Sequence, residues 1–235
     1  MSRLEAERGL PGEQRHAELA SRRLARRAGF RAGIPFALAG CALAFSFGVV
    51  ARPVMGPVAP IVMSVIVFAG SAQFAALAVL AAGGDAIAAI VAGSLLNLRF
   101  VPMGIAIAPW LREGPFGRAL RAQAIVDASW AMSHQGEGKY DPDFLLGATL
   151  PQYPMWVLGT IVGVIIGPSL DAKSLGLDAI LPAFFFGLLL AELPKPKAKL
   201  VAAGGAITAA ALTPLTPAGV PIIAAALVAL IGLKR

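Results

Sequence analysis

Charged side chains are scarce in this chain of 235 residues. Asp, Glu, Lys and Arg together make up 14% of it, whereas a typical soluble domain contains about 25%. Hydrophobic residues make up 57%, and the mean hydropathy is +0.76. This composition argues against a water-soluble protein and indicates one that resides in a membrane.

Residues that serve in catalysis or metal binding are also few. Cys41 is the only cysteine, so an intrachain disulfide is excluded. The sequence contains no nucleophile elbow, no zinc-ligand spacing and no Walker A motif. We therefore expect neither an enzyme nor a resident cofactor or metal. The energy for any transport would come from an ion gradient or from the gradient of the substrate.

The net charge of +7 does not indicate nucleic-acid binding, because the basic residues are concentrated at one end. Eight of the 20 Lys and Arg lie in residues 1–31, directly before the first apolar run. Such a segment is typical of a cytoplasmic juxtamembrane tail, which anionic lipid headgroups attract. The predicted organisation is a basic cytoplasmic tail over residues 1–31 and a transmembrane transporter domain over residues 32–235.

Long apolar runs follow the tail. Residues 57–82 contain no charge over 26 positions, and residues 86–111 contain only Arg99. Because about 20 apolar residues cross the hydrocarbon core as a helix, the predicted fold is all-α: a polytopic transmembrane bundle in which Gly and Pro interrupt several helices. Seven clear spans are expected, at about residues 33–51, 57–82, 86–111, 144–170, 174–193, 200–213 and 219–233.

A more polar segment, residues 119–134, leaves the number of crossings open. With a cytoplasmic N-terminus, an eighth crossing here would place the basic residues of 195–199 and 234–235 inside, as the positive-inside rule favours. Asp127 would then be a candidate proton carrier or a partner of Arg99. The alternative is an amphipathic helix at the membrane surface, on which Asp127 is a solvated acid.

Gly70, Ser71 and Gln73 bring flexibility and polar groups into the middle of the second run. Transporters often interrupt helices at the substrate site, where freed backbone groups bind the ligand, so these residues are candidates for substrate binding. The alternative is helix packing, with Gly and Ser at an interface and the Gln amide bonded between helices.

Asn97 and Arg99 lie half-way along the third run. An arginine at membrane depth is costly and normally faces a cavity or a partner. Its guanidinium can bind a carboxylate in bidentate fashion, so both residues are candidates for substrate binding. The alternative is a structural pair between Arg99 and Asp127.

Three glycines, Gly159, Gly163 and Gly167, recur every four residues in the fourth apolar run. This double GxxxG pattern predicts close helix packing, against either this chain or another subunit.

These motifs together resemble the AzlC family, the large component of branched-chain amino-acid export systems. The resemblance extends in order and spacing from about residue 32 to residue 233. It rests on FAGSAQF at residues 68–74, NLR at 97–99, Pro109, WVLGT at 156–160 with Gly163 and Gly167, LGLD at 175–178 and FFF at 184–186.

The resemblance implies export of branched-chain amino acids by secondary transport across a bacterial inner membrane, with a small AzlD-like membrane subunit as partner. In the hypothesis that we derive from it, Arg99 attracts the substrate carboxylate, while Ser71, Gln73 and broken-helix carbonyls accept the ammonium. The apolar surroundings of Phe68 and Phe74 would hold the branched side chain. The alternative function is a non-catalytic scaffold subunit whose glycine faces bind a partner transporter.

Overall fold

A computed structural model of the chain describes residues 12–111, 114–170, 197–216 and 220–228, with scattered positions between 176 and 194. Within these residues every regular element is a helix, which confirms the predicted all-α class. The helices are α1 (Gly12–Met55), α2 (Ala59–Ile66), α3 (Gly70–Ala81), α4 (Ala86–Asn97), α5 (Phe100–Ile107), α6 (Pro115–Ala122), α7 (Asp127–Met132), α8 (Pro142–Ile166), α9 (Ala198–Leu212) and α10 (Val220–Val228). Two short 3-10 turns, Ala108–Trp110 and Gly167–Ser169, follow α5 and α8.

The seven predicted spans are not reproduced in this described part of the chain. Two stretches are long and apolar enough to cross a membrane, His16–Met55 and Pro142–Ser169. The bent pair Ala86–Asn97 and Phe100–Trp110, with an angle of 40°, adds a third if it forms one broken span. The predicted span at residues 174–193 lies largely outside the described residues.

The second apolar run shows why fewer spans than predicted are found in the described residues. It folds as two short helices, α2 and α3, separated at residues 67–69. Phe68 has a φ of +42°, a left-handed conformation that is uncommon for a residue other than glycine and that ends a right-handed helix. An uncharged run of sufficient length is therefore not a continuous helix here.

Proline does not end helix α8. Pro151 and Pro154 both lie inside this helix of 25 residues, which continues past them. Membrane helices tolerate such interruptions because neighbouring groups satisfy the freed carbonyls. Interrupted helices are thus found at residues 67–69 and 98–99, as the sequence predicts, but neither break contains a glycine or a proline.

Two compact units make up the fold. The first comprises Met1–Leu43 and Leu98–Leu158, and the second comprises Ala44–Asn97 and Gly159–Arg235. Both boundaries that follow Leu43 and Leu158 fall inside helices, α1 and α8. The predicted boundary after residue 31 also lies inside α1, which runs without a break from Gly12; the cytoplasmic location of residues 1–31 stays a prediction.

In the first unit, α1 and α8 touch through their backbones. An ideal Cβ built on Gly29 would lie 2.1 Å from the carbonyl oxygen of Phe144, and one on Gly147 would lie 2.2 Å from that of Arg26. Such distances exclude any side chain, so glycine is required at both positions. An apolar cluster in this unit consists of Ile107, Ala124, Ile125, Tyr140 and Leu145.

In the second unit, α3 and α4 form a tight antiparallel hairpin. Its apolar core consists mainly of alanine: Ala75, Ala76, Val79, Ala89 and Ala92. Small side chains let the two helices approach closely, as is typical of membrane helix pairs. The helices α9 and α10 pack against each other, with Gly204 close to Val228.

The predicted glycine face of α8 lies against α1 of the same chain. An ideal Cβ on Gly163 would lie 2.1 Å from the carbonyl oxygen of Phe45, and one on Gly167 would lie 3.1 Å from the Cα of Val49. Gly159 is buried.

Candidate functional site

The break between α2 and α3 leaves unpaired donors at the start of α3. Ala69 is extended, with φ −142° and ψ 94°, and carries no side-chain cap. The first amide of the helix that finds an acceptor is that of Gln73, which donates to the Ala69 carbonyl at 2.9 Å. Among the described residues the amides of Gly70, Ser71 and Ala72 have no acceptor, as is usual for a first helical turn.

The side chain of Ser71 is also without a partner in the described part of the chain. It is 2% exposed, and its buried Oγ forms no hydrogen bond there. A serine hydroxyl in a helix usually bonds to a carbonyl of the preceding turn, and the preceding turn is missing here because of the break. One helical turn therefore carries four donors, three amides and one hydroxyl, that have no acceptor among the described residues.

Gln73, by contrast, is engaged in a buried polar network. Its Nε2 donates to Ser64 Oγ at 2.8 Å, and Ser64 Oγ lies 2.8 Å from Thr160 Oγ1. All three side chains have an exposed fraction of 0%. The network connects α2, α3 and α8, which is the arrangement expected if Gln73 holds helices together.

An apolar cavity of about 460 Å³ lies along the α3–α4 hairpin within the second unit. This volume is within the range of small-molecule sites, about 300–1,000 Å³. One end reaches the helix break at Val67 and Ala72, and the wall continues to Leu80 and Ala86. The lining residues are Met55, Ala59, Val62, Met63, Val67, Ala72, Ala76, Leu80, Ala86, Ala89, Ile90, Gly93, Ser94 and Asn97.

Asn97 supplies the polar end of this cavity. It is the last residue of α4, and its Oδ1 is buried with no hydrogen-bond partner among the described residues. An ideal Cβ on Gly93 would lie 3.1 Å from the carbonyl oxygen of Ala72, so the last turn of α4 lies against the first turn of α3. A helix N-terminus with partial positive charge and a C-terminus with partial negative charge are thus neighbours.

Arg99 belongs to the first unit, whereas Asn97 belongs to the second. Its Nη2 forms an ion pair with Asp127 Oδ2 at 2.8 Å, and its guanidinium carbon lies 5.0 Å from the centre of the Phe100 ring. The side chains are 31% and 54% exposed. The structure therefore pairs Arg99 with an acid of this chain, which is the alternative that the sequence left open.

The segment around Asp127 is not one continuous helix. Residues 119–134 contain the end of α6 and the whole of α7, six residues long, with a break at residues 123–126. Neither helix is among the described stretches long enough to cross a membrane. The eighth crossing considered for this segment is therefore not found as a helical span. Asp127 instead begins α7, where an acid interacts favourably with the helix dipole.

Several polar residues that the structure brings together are not distinguished by any pattern in the sequence. Ser64 and Thr160 resembled ordinary small polar residues in apolar runs. In the first unit, Arg26 Nε donates to Asp143 Oδ1 at 2.8 Å, and Arg121 Nη1 lies 3.7 Å from the same oxygen. Arg26 had been assigned to the basic tail. Its partner is 117 positions away, so no local pattern could reveal it.

A double-mutant cycle tests the Arg99–Asp127 pair. We expect Asp127→Asn and Arg99→Gln each to lower the thermal unfolding midpoint of the purified protein slightly, because partly exposed ion pairs contribute about 0.2–1 kcal/mol. The double variant should lose no more than the larger of the two single losses. Fully additive losses would contradict a direct pair.

The chain is similar in sequence to a known family of proteins. The family model described as AzlC protein matches residues 35–170, more than half of the chain. An "Uncharacterized membrane protein" of Archaeoglobus fulgidus is 34% identical over 215 residues, 87% of this chain and 94% of the relative. The "Inner membrane protein YgaZ" of Escherichia coli (strain K12) is 28% identical, covering 74% of this chain and 76% of the relative.

A further relative has a name that states a substrate class. The "Branched-chain amino acid transport protein AzlC" of Bacillus subtilis (strain 168) is 24% identical over 178 residues, 72% of this chain and 70% of the relative. No solved structure matches the chain. The family match and the identity to the archaeal relative confirm the resemblance drawn from the motifs at residues 68–74 and 97–99: this membrane protein belongs to the AzlC family.

Proposed function

We propose that the chain is a membrane permease subunit that exports branched-chain amino acids by secondary transport, and that it is not an enzyme. The observation that carries the proposal is the apolar cavity of about 460 Å³ at the break between α2 and α3. Broken helices beside a midplane cavity are a recurrent form of substrate site in secondary transporters. The name of the Bacillus subtilis relative supports the substrate class.

The cavity has the chemical character that a branched-chain amino acid requires. Its wall is aliphatic, and its polar groups are confined to the end where α3 begins and α4 ends. An amino acid with an apolar side chain has the same asymmetry, because its charged groups share one carbon. Burial of the side chain would contribute about 0.8 kcal/mol per CH₂ group.

The membrane orientation is part of the proposal. Helix α1 has 44 residues and is therefore roughly 66 Å long at 1.5 Å per residue, about twice the hydrocarbon thickness of about 30 Å. Its first, arginine-rich part then lies outside the hydrocarbon core. By the positive-inside rule we place this end in the cytoplasm of a bacterial inner membrane, and we propose a small AzlD-like subunit as partner.

The alternative function, a scaffold subunit for a partner transporter, was based on the glycine face of α8. It required the glycine face of α8 to bind another subunit. Gly163 and Gly167 instead lie against α1 of the same chain. We therefore prefer direct transport by this chain.

A matched pair of valines on α2 tests the cavity. Val62 lines it and Val65 does not, although the two are similarly exposed, 47% and 45%. We expect Val62→Phe to reduce leucine efflux at least several-fold because the larger ring fills the cavity, whereas Val65→Phe leaves efflux near the wild-type rate. The measurement is efflux of labelled leucine from loaded cells that contain the small subunit.

Two outcomes would count against the proposal. If the wild-type chain, with the small subunit present, gives no more leucine efflux than cells lacking it, the proposed function is wrong. If Val62→Phe and Val65→Phe reduce efflux equally while both proteins are present in the membrane in normal amounts, transport does not use this cavity.

A further inference from the structure

The ends of two antiparallel helices meet at the polar end of the cavity. Among the residues that the structure describes, three amides in the first turn of α3 have no acceptor, those of Gly70, Ser71 and Ala72. Ala72 itself lines the cavity, as does Val67 on the other side of the break. Free amides at a helix N-terminus, together with the helix dipole, bind carboxylates and other anions.

The hydroxyl of Ser71 is a second and independent indication of a ligand. It is a donor in a side chain that is 98% buried, and it has no partner within the described residues. In a helix the Cα–Cβ bond tilts toward the N-terminus, so the Cβ that carries this hydroxyl leans toward the same end as the amides of residues 70–72. A buried hydroxyl without an acceptor is destabilising, and an arriving carboxylate would remove that cost.

The complementary acceptor belongs to α4. Asn97 lines the cavity, and its buried Oδ1 has no donor in the part of the chain that the structure describes. Asn97 is also the last residue of α4, at the negative end of the helix dipole. The contact between Gly93 and the Ala72 carbonyl brings this acceptor region against the donor turn of α3.

We propose that these two helix ends bind a zwitterionic amino acid in one fixed orientation. The carboxylate accepts hydrogen bonds from the amides of residues 70–72 and from Ser71 Oγ. The ammonium donates to Asn97 Oδ1 and to carbonyls at the end of α4. The apolar side chain extends along the hairpin toward Leu80. This inference rests on the proposed function and assigns the carboxylate to α3, in place of the Arg99 of our sequence hypothesis.

Substrate analogues that lack one charge test the orientation. The measurement is inhibition of labelled-leucine uptake into proteoliposomes that contain the full chain and the small subunit. The competitors are leucine, leucinamide, which has no carboxylate, and 4-methylpentanoate, which has no ammonium group. Ser21→Ala is the control, because Ser21 is an exposed serine of α1 that does not line the cavity.

We expect Ser71→Ala to weaken inhibition by leucine and by 4-methylpentanoate about tenfold, the loss of one hydrogen bond to a charged group. Inhibition by leucinamide should not change. Asn97→Leu should weaken leucine and leucinamide and leave 4-methylpentanoate unchanged. Ser21→Ala should behave as wild type, and Ser71→Thr, which keeps a hydroxyl, should retain most of the discrimination.

Other patterns overturn the orientation. If Ser71→Ala weakens all three competitors equally or none of them, Ser71 does not contact the carboxylate. If Arg99→Gln, and not Ser71→Ala, selectively weakens the competitors that carry a carboxylate, Arg99 is the carboxylate ligand. Absence of leucine uptake by the wild-type protein would refute the proposed function, and the inference with it, whereas wild-type uptake with an unselective Ser71→Ala refutes the orientation alone.

Discussion

Replacing Gly163 by alanine is expected to prevent α1 and α8 from packing and to remove most of the folded protein. The new Cβ would lie 2.1 Å from the carbonyl oxygen of Phe45 and 3.0 Å from its carbon. These are backbone atoms, so no side-chain rotation relieves the clash and the helices must separate. Overpacking against side chains typically costs about 1–3 kcal/mol, and a clash with backbone exceeds that range.

A matched substitution on the partner helix provides the control. Gly48 and Gly40 both lie in α1, but an ideal Cβ on Gly48 would lie 2.4 Å from the Thr160 carbonyl oxygen, whereas one on Gly40 meets only Trp156 Cε3 at 3.7 Å. We expect Gly48→Ala, like Gly163→Ala, to prevent α1 and α8 from packing and to remove most of the folded protein. Gly40→Ala should fold normally, and helix propensity favours it by about 1 kcal/mol.

The measurement is the yield and thermal midpoint of detergent-extracted protein, followed by size-exclusion chromatography with a fluorescent tag. A monodisperse Gly163→Ala protein that melts with the wild type would show that the α1–α8 contact does not exist in the folded molecule. Equal losses for Gly40→Ala and Gly48→Ala would show that α1 responds to any added methyl group and not to this contact.

The close packing of α8 could be predicted from the sequence, but its partner could not. The spacing of Gly159, Gly163 and Gly167 indicated a glycine face. On α1, Gly29 and Gly33 are also four residues apart and also lie against α8, but they flank a charged segment that resembled a tail. The arginines around these two glycines led to the prediction of a tail. A prediction from charge composition does not take the spacing of small residues into account, so the packing face was missed.

The helix breaks were predicted better than the spans. Gly70 and the polar residues after it indicated an interruption of the second apolar run, and the chain does break immediately before Gly70. The residue that leaves the helical conformation is Phe68, which no propensity argument would choose. Hydropathy indicates that a segment is buried away from water. It does not indicate whether that segment forms one continuous helix.

The polar residues themselves were recognised, and their partners were not. Gln73 and Arg99 were notable because a polar group in an apolar run needs a partner. For Arg99 the acid Asp127 was a candidate because few acids are available. For Gln73 the network includes Ser64 and Thr160, which are 96 positions apart. Only the fold of α2 against α8 brings them together.

A substitution in the buried network of Gln73, Ser64 and Thr160 is expected to lower the stability of the protein. Ser64→Ala removes the group that accepts from Gln73 Nε2 and contacts Thr160 Oγ1. Both remaining side chains are fully buried, so water does not replace the lost partner. Each hydrogen bond that is lost contributes about 0.5–1.5 kcal/mol, so we expect a fall of several degrees in the thermal midpoint.

An apolar replacement of the whole network separates structure from transport. In the triple variant Ser64→Ala, Gln73→Leu and Thr160→Val, no member of the network is left polar, and such replacements are often close to neutral for stability. We expect its thermal midpoint to be higher than that of Ser64→Ala alone, and leucine efflux to stay near the wild-type rate. Recovered stability with abolished efflux would show that the role of Gln73 is not structural alone and that its amide also takes part in transport. A midpoint below that of Ser64→Ala would mean that the three side chains are not one network.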